Sequence, residues 1–304
     1  MTSSALTSAP TLRNGVTAAV IAYTMWGFFP FYFKLAHMIP TTEMLGHRII
    51  WSLPFGALII SLRHQWPDVF AALKNPKMAL MLGLSAAIIA VNWLVYTWAV
   101  QQGRIFEASL GYYINPLIYV VVGVVFLKER LRRPQWLAVA LAAIGVSILT
   151  IYGGSFPIVS ITLAISFTAY GVIRKQLNVG AMPGLLIEVI WLFPLAVAYL
   201  AWLTHQQSAA YLQGSDVVGL ALLAGPLTVL PLLFFAIGAR QLPLSLLGFL
   251  QFIGPTLQFF CGLYFGEKFT FAHAWCFGFI WLAVIVFSLD KWRELRISAS
   301  PKTA

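Results

Sequence analysis

The chain has 304 residues, of which 60% are hydrophobic and only 9% are charged, and its formal net charge at pH 7 is +10. A soluble domain carries about 25% charged residues, so this composition excludes a water-exposed globular surface. The apolar residues fall into runs of about 18–22, a length that spans a bilayer core as a helix. The composition therefore predicts an all-α polytopic membrane protein.

Charged or turn-rich breaks divide the apolar runs into ten predicted transmembrane helices. These helices span residues 15–34, 42–62, 78–100, 106–127, 134–151, 155–174, 184–203, 217–239, 244–265 and 271–290. The breaks are short, which leaves no room for a folded domain outside the membrane.

Lysine and arginine are unevenly distributed over the two sides that these helices define. With the amino terminus inside, fifteen of the nineteen Lys and Arg residues lie on the cytoplasmic side, as the positive-inside rule requires. We therefore expect cytoplasmic tails at 1–12 and 291–304. The positive charge is accounted for by anionic lipid at that face, so no nucleic-acid partner is expected.

Charged residues lie near both ends of the predicted bundle. A first group lies at the outer ends of helices 2 and 4, and a second group lies at the inner ends of helices 6 and 7. One hypothesis is that they form gates, each an ion pair made and broken during alternating access; the alternative is that they are snorkelling charges at helix ends. The two groups are Glu43, His47, Arg48 and Glu107, and Arg174, Lys175 and Glu188.

Polar residues share one face on helices 4 and 9. Tyr112, Asn115 and Tyr119 are spaced i, i+3 and i+7, and Gln251 and Gln258 occupy corresponding positions 139 residues later. Amides deep in a bilayer need partners or water. They either line a central cavity or join helices by hydrogen bonds. The predicted cavity residues are Trp26, Asn92, Trp93, Tyr96, Tyr112, Asn115, Tyr119, Gln251 and Gln258.

Prolines interrupt several of the apolar runs. Pro116 and Pro255 lie within helices 4 and 9, and helix 8 contains Pro226 and Pro231. Because proline lacks a backbone donor, we expect broken backbone in helices 4 and 9 and a kinked or broken helix 8.

The second half of the chain repeats features of the first. The segment "RIIWSLP" at 48–54 returns as "EVIWLFP" at 188–194, which is 140 positions later. Each half would hold five helices, an odd number, so the second half would enter the membrane upside down. The sequence predicts two inverted repeats, 13–152 and 153–290, an arrangement found in many secondary transporters.

Motifs of enzyme chemistry are missing from the sequence. It contains no HExxH, no GxSxG, no glycine-rich phosphate loop and no His/Cys cluster with metal-ligand spacing. The sequence therefore predicts no enzymatic activity, no metal and no cofactor.

Several segments resemble RarD-type members of the EamA group in the drug/metabolite transporter superfamily. These segments are "HRIIWSLP", "NWLVYTWAV", "GRIFEASLGYYINPL", "FLKERL", "AYGVIRK" and "LLGFLQFIGPTLQF". The resemblance implies ten helices in two inverted five-helix repeats, a bacterial inner membrane, and secondary transport, usually efflux, through a central cavity. Small multidrug members of the superfamily carry an acid in helix 1, and this helix 1 has none, which argues against their cation/proton exchange.

Three functions are compatible with these features. The first is a secondary or facilitative transporter that exports small metabolites, amino acids or amphiphilic drugs such as phenicols, with possible proton or exchange coupling. The second is a lipid scramblase or flippase, and the third is a membrane scaffold without transport. They differ in whether the faces of Asn92, Asn115 and Gln251 converge on a closed central cavity or face a lateral opening.

Overall fold

The computed structural model describes residues 9–127, 132–153, 156–242 and 244–299, and every regular element in these ranges is a helix. The α-helices are α1 (Ala9–Gly27), α2 (Phe29–Leu35), α3 (Thr41–Leu62), α4 (Trp66–Lys74), α5 (Pro76–Gln101), α6 (Ile105–Leu127), α7 (Arg133–Gly153), α8 (Ile158–Gln176), α9 (Ala181–His205), α10 (Ser215–Gln241), α11 (Leu244–Leu250), α12 (Ile253–Tyr264) and α13 (Phe271–Ala299). A short 3₁₀ helix, Ala210–Gln213, precedes α10.

Nine segments of the described chain are long and apolar enough to cross a membrane. They are Arg13–Leu35, Thr41–Leu62, Pro76–Gln101, Arg133–Gly153, Ile158–Gln176, Ala181–His205, Ser215–Gln241, Leu246–Tyr264 and Phe271–Asp290. They correspond to nine of the ten predicted helices, which confirms the helical membrane class. The remaining predicted helix corresponds to α6, which is 23 residues long.

Two predicted helices are each divided into two. Predicted helix 1 stops at Gly27 and resumes at Phe29, because Pro30 at the start of α2 cannot donate a backbone hydrogen bond. Predicted helix 9 is divided at residues 251–252, just before Pro255 in the first turn of α12. The expected break in helix 9 is therefore confirmed, a few residues before the proline itself.

Three prolines do not interrupt the helices in which they lie. Helix α6 runs without interruption through Pro116, and α10 does so through Pro226 and Pro231. The predicted break at Pro116 is wrong, and helix 8 is not broken. Each proline removes only one bond of the helical ladder, and the other backbone groups of an apolar helix have no better partner inside a membrane.

The two halves of the chain share one core. The most extensive helix contacts all join one of α1–α7 to one of α8–α13. The pairs are α7–α13, α1–α10, α3–α9, α3–α10, α6–α8, α5–α8, α6–α12, α1–α12 and α5–α9. Among the described residues, each hydrophobic cluster contains side chains from both halves, which meet in the interior.

Candidate functional site

Arg48 of α3 is buried in this shared interior, with 4% of its surface exposed. Its Nε donates to Oγ1 of Thr228 on α10 at 3.1 Å. Its Cζ lies 4.5 Å from the ring centroid of Trp93 and 5.5 Å from that of Phe33. No carboxylate of the described residues forms an ion pair with it. Arg48 is thus a buried cation held by aromatic faces, whereas buried arginines are usually paired with acids.

Three tyrosines on other helices lie close enough to this guanidinium to interact with it electrostatically. They are Tyr32, Tyr96 and Tyr112. The Tyr32 hydroxyl donates to the Leu220 carbonyl oxygen at 2.8 Å. The Tyr96 ring lies 5.7 Å from that of Tyr112 between centroids. The Tyr96 hydroxyl is buried and has no hydrogen-bond partner in the described part of the protein. We use the name arginine cluster for Arg48, Phe33, Trp93, Tyr32, Tyr96 and Tyr112.

The amide of Asn92 on α5 is buried and fully used by neighbouring helices. Its Nδ2 donates to the carbonyl oxygen of Leu163 at 3.0 Å and to Oγ of Ser166 at 2.9 Å, both on α8. Its Oδ1 accepts from the hydroxyl of Tyr112 on α6 at 3.0 Å. For Asn92, the geometry therefore favours the helix-joining role over a cavity-lining role.

The amides of Asn115 and Gln258 also join helices. Oδ1 of Asn115 accepts from Oγ1 of Thr168 at 2.7 Å, which links α6 to α8. Nε2 of Gln258 donates to the carbonyl oxygen of Trp26 at 3.1 Å, which links α12 to α1. These two links are alike, since each ties a helix of one half to the other half.

The other residues of the predicted polar stripes are Gln251 and Tyr119. Gln251 is half-buried at the division between α11 and α12. The side chain of Tyr119 lies outside the described part of the protein.

Glu188 of α9 lies in a second buried polar cluster, with 1% of its surface exposed. Its Oε1 accepts from Oγ of Ser85 on α5 at 2.6 Å, and its Oε2 accepts from the hydroxyl of Tyr170 on α8 at 3.3 Å. Nε of Arg174 lies 3.6 Å from Oε1. This carboxylate therefore ties α9 to both α5 and α8.

The Arg174 guanidinium fits closely against the first turns of α9. Its Nη2 donates to the carbonyl oxygens of Gly180 and Ala181, each at 3.3 Å. A Cβ atom at Gly184 would collide with the guanidinium, so a larger residue there would force the Arg174 side chain to shift. Lys175 is exposed and lies outside the cluster.

The other predicted charges have local roles. Buried Glu43 accepts from the backbone N–H groups of Ala210 at 2.9 Å and Tyr211 at 3.2 Å, which anchors the 3₁₀ helix. His47 Nε2 lies 3.6 Å from Glu43 Oε1. Glu107 pairs with Arg104 three residues earlier, through contacts of 2.7 and 2.9 Å.

Glu267 connects a loop of the second half to a helix of the first. Its Oε2 accepts from the N–H groups of Ile105 at 2.7 Å and Phe106 at 3.0 Å, so it caps the start of α6. Burial raises the pKa of the Glu267 carboxyl to about 7, although these two bonds oppose the rise.

The larger of the two described pockets lies away from both buried clusters. It has a volume of about 680 Å³ and is lined by Glu107 together with residues from the end of α7 and the start of α13, including Tyr152, His273 and Trp275. It contains none of the predicted cavity residues. No group of His, Cys, Asp or Glu suited to a metal ion occurs among the residues that the structure describes.

Several partners in the two clusters were not predicted from the sequence. They are Tyr32, Phe33, Ser85, Tyr170 and Thr228. Ser85 could have been predicted from helical spacing, because this residue lies seven positions before Asn92 on the same buried face of α5. Thr228 carries no such signal in its apolar helix.

Comparison with known proteins gives a consistent assignment. Residues 13–151 match the family model of the EamA-like transporter family. Protein RarD of Salmonella typhi is 44% identical to this chain, over 91% of this chain and 95% of its own. A "Chloramphenicol-sensitive protein RarD" of Pseudomonas aeruginosa is 32% identical, over 94% of this chain and 97% of its own.

A solved crystal structure of a protein with 19% identity has the same fold, with a TM-score of 0.56 over 92% of this chain and 98% of the other. The apolar helices, the family match and the RarD relatives agree with one another. The chain therefore belongs to the RarD-type group of the EamA-like transporter family and is a multi-pass membrane protein.

Proposed function

We propose that this transporter carries small molecules through the shared interior by alternating access, as a secondary or facilitative carrier that works in the export direction. The observation that carries the proposal is the burial of Arg48 and Glu188 between membrane helices. Ionisable residues inside a membrane are costly, and they mark substrate and ion pathways. The substrates we propose are small metabolites, amino acids or amphiphilic drugs. Phenicols are included because one relative is named for chloramphenicol sensitivity.

The proposed architecture is ten membrane helices in two inverted repeats, 13–152 and 153–290, with α6 as the tenth span. The list of main helix contacts is unchanged when five helices of the first half are exchanged with their counterparts in the second half. The exchanged pairs are α1 with α8, α3 with α9, α5 with α10, α6 with α12 and α7 with α13. The contacts α1–α10 and α5–α8 are exchanged, for example, while α3–α9 is unchanged. Such a closed set supports two halves related by a twofold axis.

Two tryptophans at equivalent repeat positions support the same architecture. Trp51 of α3 packs its backbone against Gly225 of α10. Trp191 of α9 packs its ring against Gly83 of α5, where an added Cβ would lie 3.1 Å from the ring. The two contacts are exchanged by the proposed symmetry.

The proposed gate is the ion pair between Glu188 and Arg174, which would form in this conformation and break in the alternative one. The burial of Glu188 favours this role over snorkelling for the carboxylate, because snorkelling requires a charged group that reaches water. At the equivalent position of the first half, Arg48 contacts aromatic faces, and no carboxylate among the described residues pairs with it. The two proposed gates therefore differ in chemistry at these equivalent positions, since Glu188 is paired with Arg174 whereas Arg48 lies against aromatic rings.

The proposed location is a bacterial inner membrane, with both tails on the cytoplasmic side. The bacterial relatives and the positive-inside distribution of Lys and Arg support it. The mechanism includes no enzymatic step and no cofactor.

Counterflow into proteoliposomes tests the transport proposal. Vesicles with purified protein should accumulate a radiolabelled amino acid, nucleoside or phenicol when they are preloaded with the same unlabelled solute, and protein-free vesicles should not. A lipid-scrambling assay on the same vesicles tests the main alternative. Scrambling without counterflow would replace the proposal by a lipid-handling function, and neither activity would favour a scaffold.

A further inference from the structure

We infer that the arginine cluster binds the carboxylate group of a substrate whose remaining part is apolar or aromatic. This inference rests on the proposed transport function, because it names the substrate class of that interior. Its centre is a buried cation, whereas all the cavity residues predicted from the sequence are uncharged.

The charge of Arg48 is the first argument. A buried arginine normally has an acidic partner, since an unpaired buried charge is strongly unfavourable. The acids nearest along the chain and by repeat position are already used. Glu43 binds two backbone N–H groups and His47, and Glu188 binds Ser85, Tyr170 and Arg174. A substrate carboxylate would supply the countercharge that the described residues do not provide.

The guanidinium also has donors to offer. The bond that the structure shows for its side chain uses Nε, which donates to Thr228. An arginine has five N–H donors in a planar fork, and this fork matches the two oxygens of a carboxylate. Thr228 is itself fixed, because its Oγ1 donates to the Ala224 carbonyl oxygen at 2.8 Å. The fork is therefore held in place before a ligand arrives.

The Tyr96 hydroxyl is a second, independent observation at the same place. The side chain is 4% exposed, and its Oη has no partner among the residues described. Its ring contacts Phe33, with centroids 5.9 Å apart, and Phe33 also faces Arg48. A buried hydroxyl without a hydrogen-bond partner is unfavourable. A carboxylate oxygen would accept a hydrogen bond from this hydroxyl and remove this penalty.

The aromatic walls of the cluster favour an apolar body on the ligand. Trp93, Phe33 and Tyr112 present ring surfaces beside the cation, and such faces pack against aromatic and aliphatic groups. One cation balances one carboxylate, whereas a phosphate monoester carries close to two negative charges at neutral pH. The charge and the surroundings therefore favour a monocarboxylate.

Paired probes that differ only in charge test the inference. Purified wild-type protein in detergent is heated with millimolar 3-phenylpropanoate or with its neutral amide, 3-phenylpropanamide. The acid should raise the unfolding temperature and the amide should not. In Arg48→Met the response to the acid should disappear, while the control Arg133→Met, at an exposed arginine, should respond as the wild type does.

Further variants keep the test decisive if Arg48→Met does not fold. Arg48→Met is expected to fold, because replacing a buried ion by an apolar side chain is often tolerated. The variant Arg48→Lys provides a second test, because it keeps the charge and removes the planar fork of donors. It should bind 3-phenylpropanoate at least about tenfold more weakly, the loss expected for a hydrogen bond to a charged group. Tyr96→Phe should weaken acid binding by a similar factor and leave the response to the amide unchanged.

Four results would overturn the inference. The first is an equal rise in unfolding temperature with the acid and with the amide, and the second is no rise with the acid in the wild type. The third is a rise with the acid that persists in Arg48→Met, and the fourth is a rise with phosphatidylglycerol but not with the acid. Counterflow separates this failure from failure of the proposed function. If the heating tests show no Arg48-dependent response to the acid but a phenicol exchanges in wild-type vesicles, the transporter stands and the carboxylate site does not. If no solute exchanges in wild-type vesicles, the proposed transport itself fails.

Discussion

The hydroxyl of Tyr112 on α6 donates a hydrogen bond to Oδ1 of Asn92 on α5 across 3.0 Å. The amide nitrogen of the same asparagine donates to Leu163 and Ser166 on α8. One side chain therefore joins three helices, two from the first half and one from the second. It also fixes the Tyr112 ring beside Tyr96 and so helps to set the wall of the arginine cluster.

Replacing Asn92 by alanine should destabilise the protein. The change leaves the Tyr112 hydroxyl and the acceptors on α8 without their partner, and a stranded buried polar group is unfavourable by about 1–3 kcal/mol. We expect a lower unfolding temperature in detergent, measured by thermal denaturation. Asn178→Ala, at an exposed loop position, is the matched control and should leave that temperature unchanged. An Asn92→Ala protein as stable as the wild type would contradict the helix-joining role.

Neutralising Glu188 should weaken transport without preventing membrane insertion. Glu188→Gln keeps the size of the side chain but leaves Arg174 without its counter-ion, so the contact between α8 and α9 loses its electrostatic part. We expect a reduced counterflow rate from vesicles that contain the normal amount of protein. If Glu188→Gln protein transports at the wild-type rate at every pH measured, the ion pair is not a gate.

Two glycines, one beside the ion pair and one with open space around it, allow a steric test of the same gate. In Gly184→Ala the new methyl group would occupy the space of the Arg174 guanidinium, so the ion pair must shift. We expect slower counterflow, as in Glu188→Gln, although every charge is retained. Gly219→Ala is the control, because no atom lies within 4 Å of a Cβ atom built at Gly219. Similar rates for the two alanine variants would show that the ion pair tolerates displacement.

The helical membrane class could be predicted from the sequence because it depends on the length of apolar runs. The local breaks were harder to predict, since a proline removes one hydrogen bond wherever it lies. The surroundings decide whether the helix continues, as at Pro116, or is divided, as near Pro255. The sequence spacing of 140 residues placed Arg48 and Glu188 at equivalent positions, but it could not show what each one touches.

Contacts between distant segments explain the rest of the difference. Ser85 and Glu188, or Arg48 and Thr228, are more than 100 residues apart, and only packing of the two halves brings them together. A polar stripe on one helix also looks the same whether it faces a cavity or another helix. From the sequence alone the stripe of Asn115 is therefore compatible with both roles, and the structure adds one hydrogen bond from Thr168 on another helix.

Stability should fall as pH rises through the range set by Glu267. Burial raises the pKa of this carboxyl from 4.5 to about 7, helped by the neighbouring charge of Glu107 and opposed by Lys34. Between these values the folded protein binds more protons than the unfolded chain, so the free energy of unfolding decreases with increasing pH. Unfolding temperatures in detergent should show this slope for the wild type.

The variant Glu267→Gln should lack that slope, because glutamine keeps an oxygen that can accept the bonds from Ile105 and Phe106 but does not titrate. Asp216→Asn, at an exposed carboxylate, should retain the slope of the wild type. If Glu267→Gln shows the full wild-type pH dependence, another group is responsible for it.

Single cysteines in two loops should report the orientation of the chain. With the amino terminus inside and ten spans, the loop after α8 is cytoplasmic and the loop after α9 is periplasmic. Asn178→Cys and Ser208→Cys place thiols at exposed positions in these loops, whereas the native Cys261 and Cys276 are buried and should react slowly. In intact cells a membrane-impermeant maleimide should label Ser208→Cys and spare Asn178→Cys, and permeabilised cells should show labelling of both. A periplasm-active reporter fused after Ala304 should likewise be silent. The reverse labelling pattern would invert the chain in the membrane, and labelling of both positions in intact cells would remove a span between them and with it the inverted repeat.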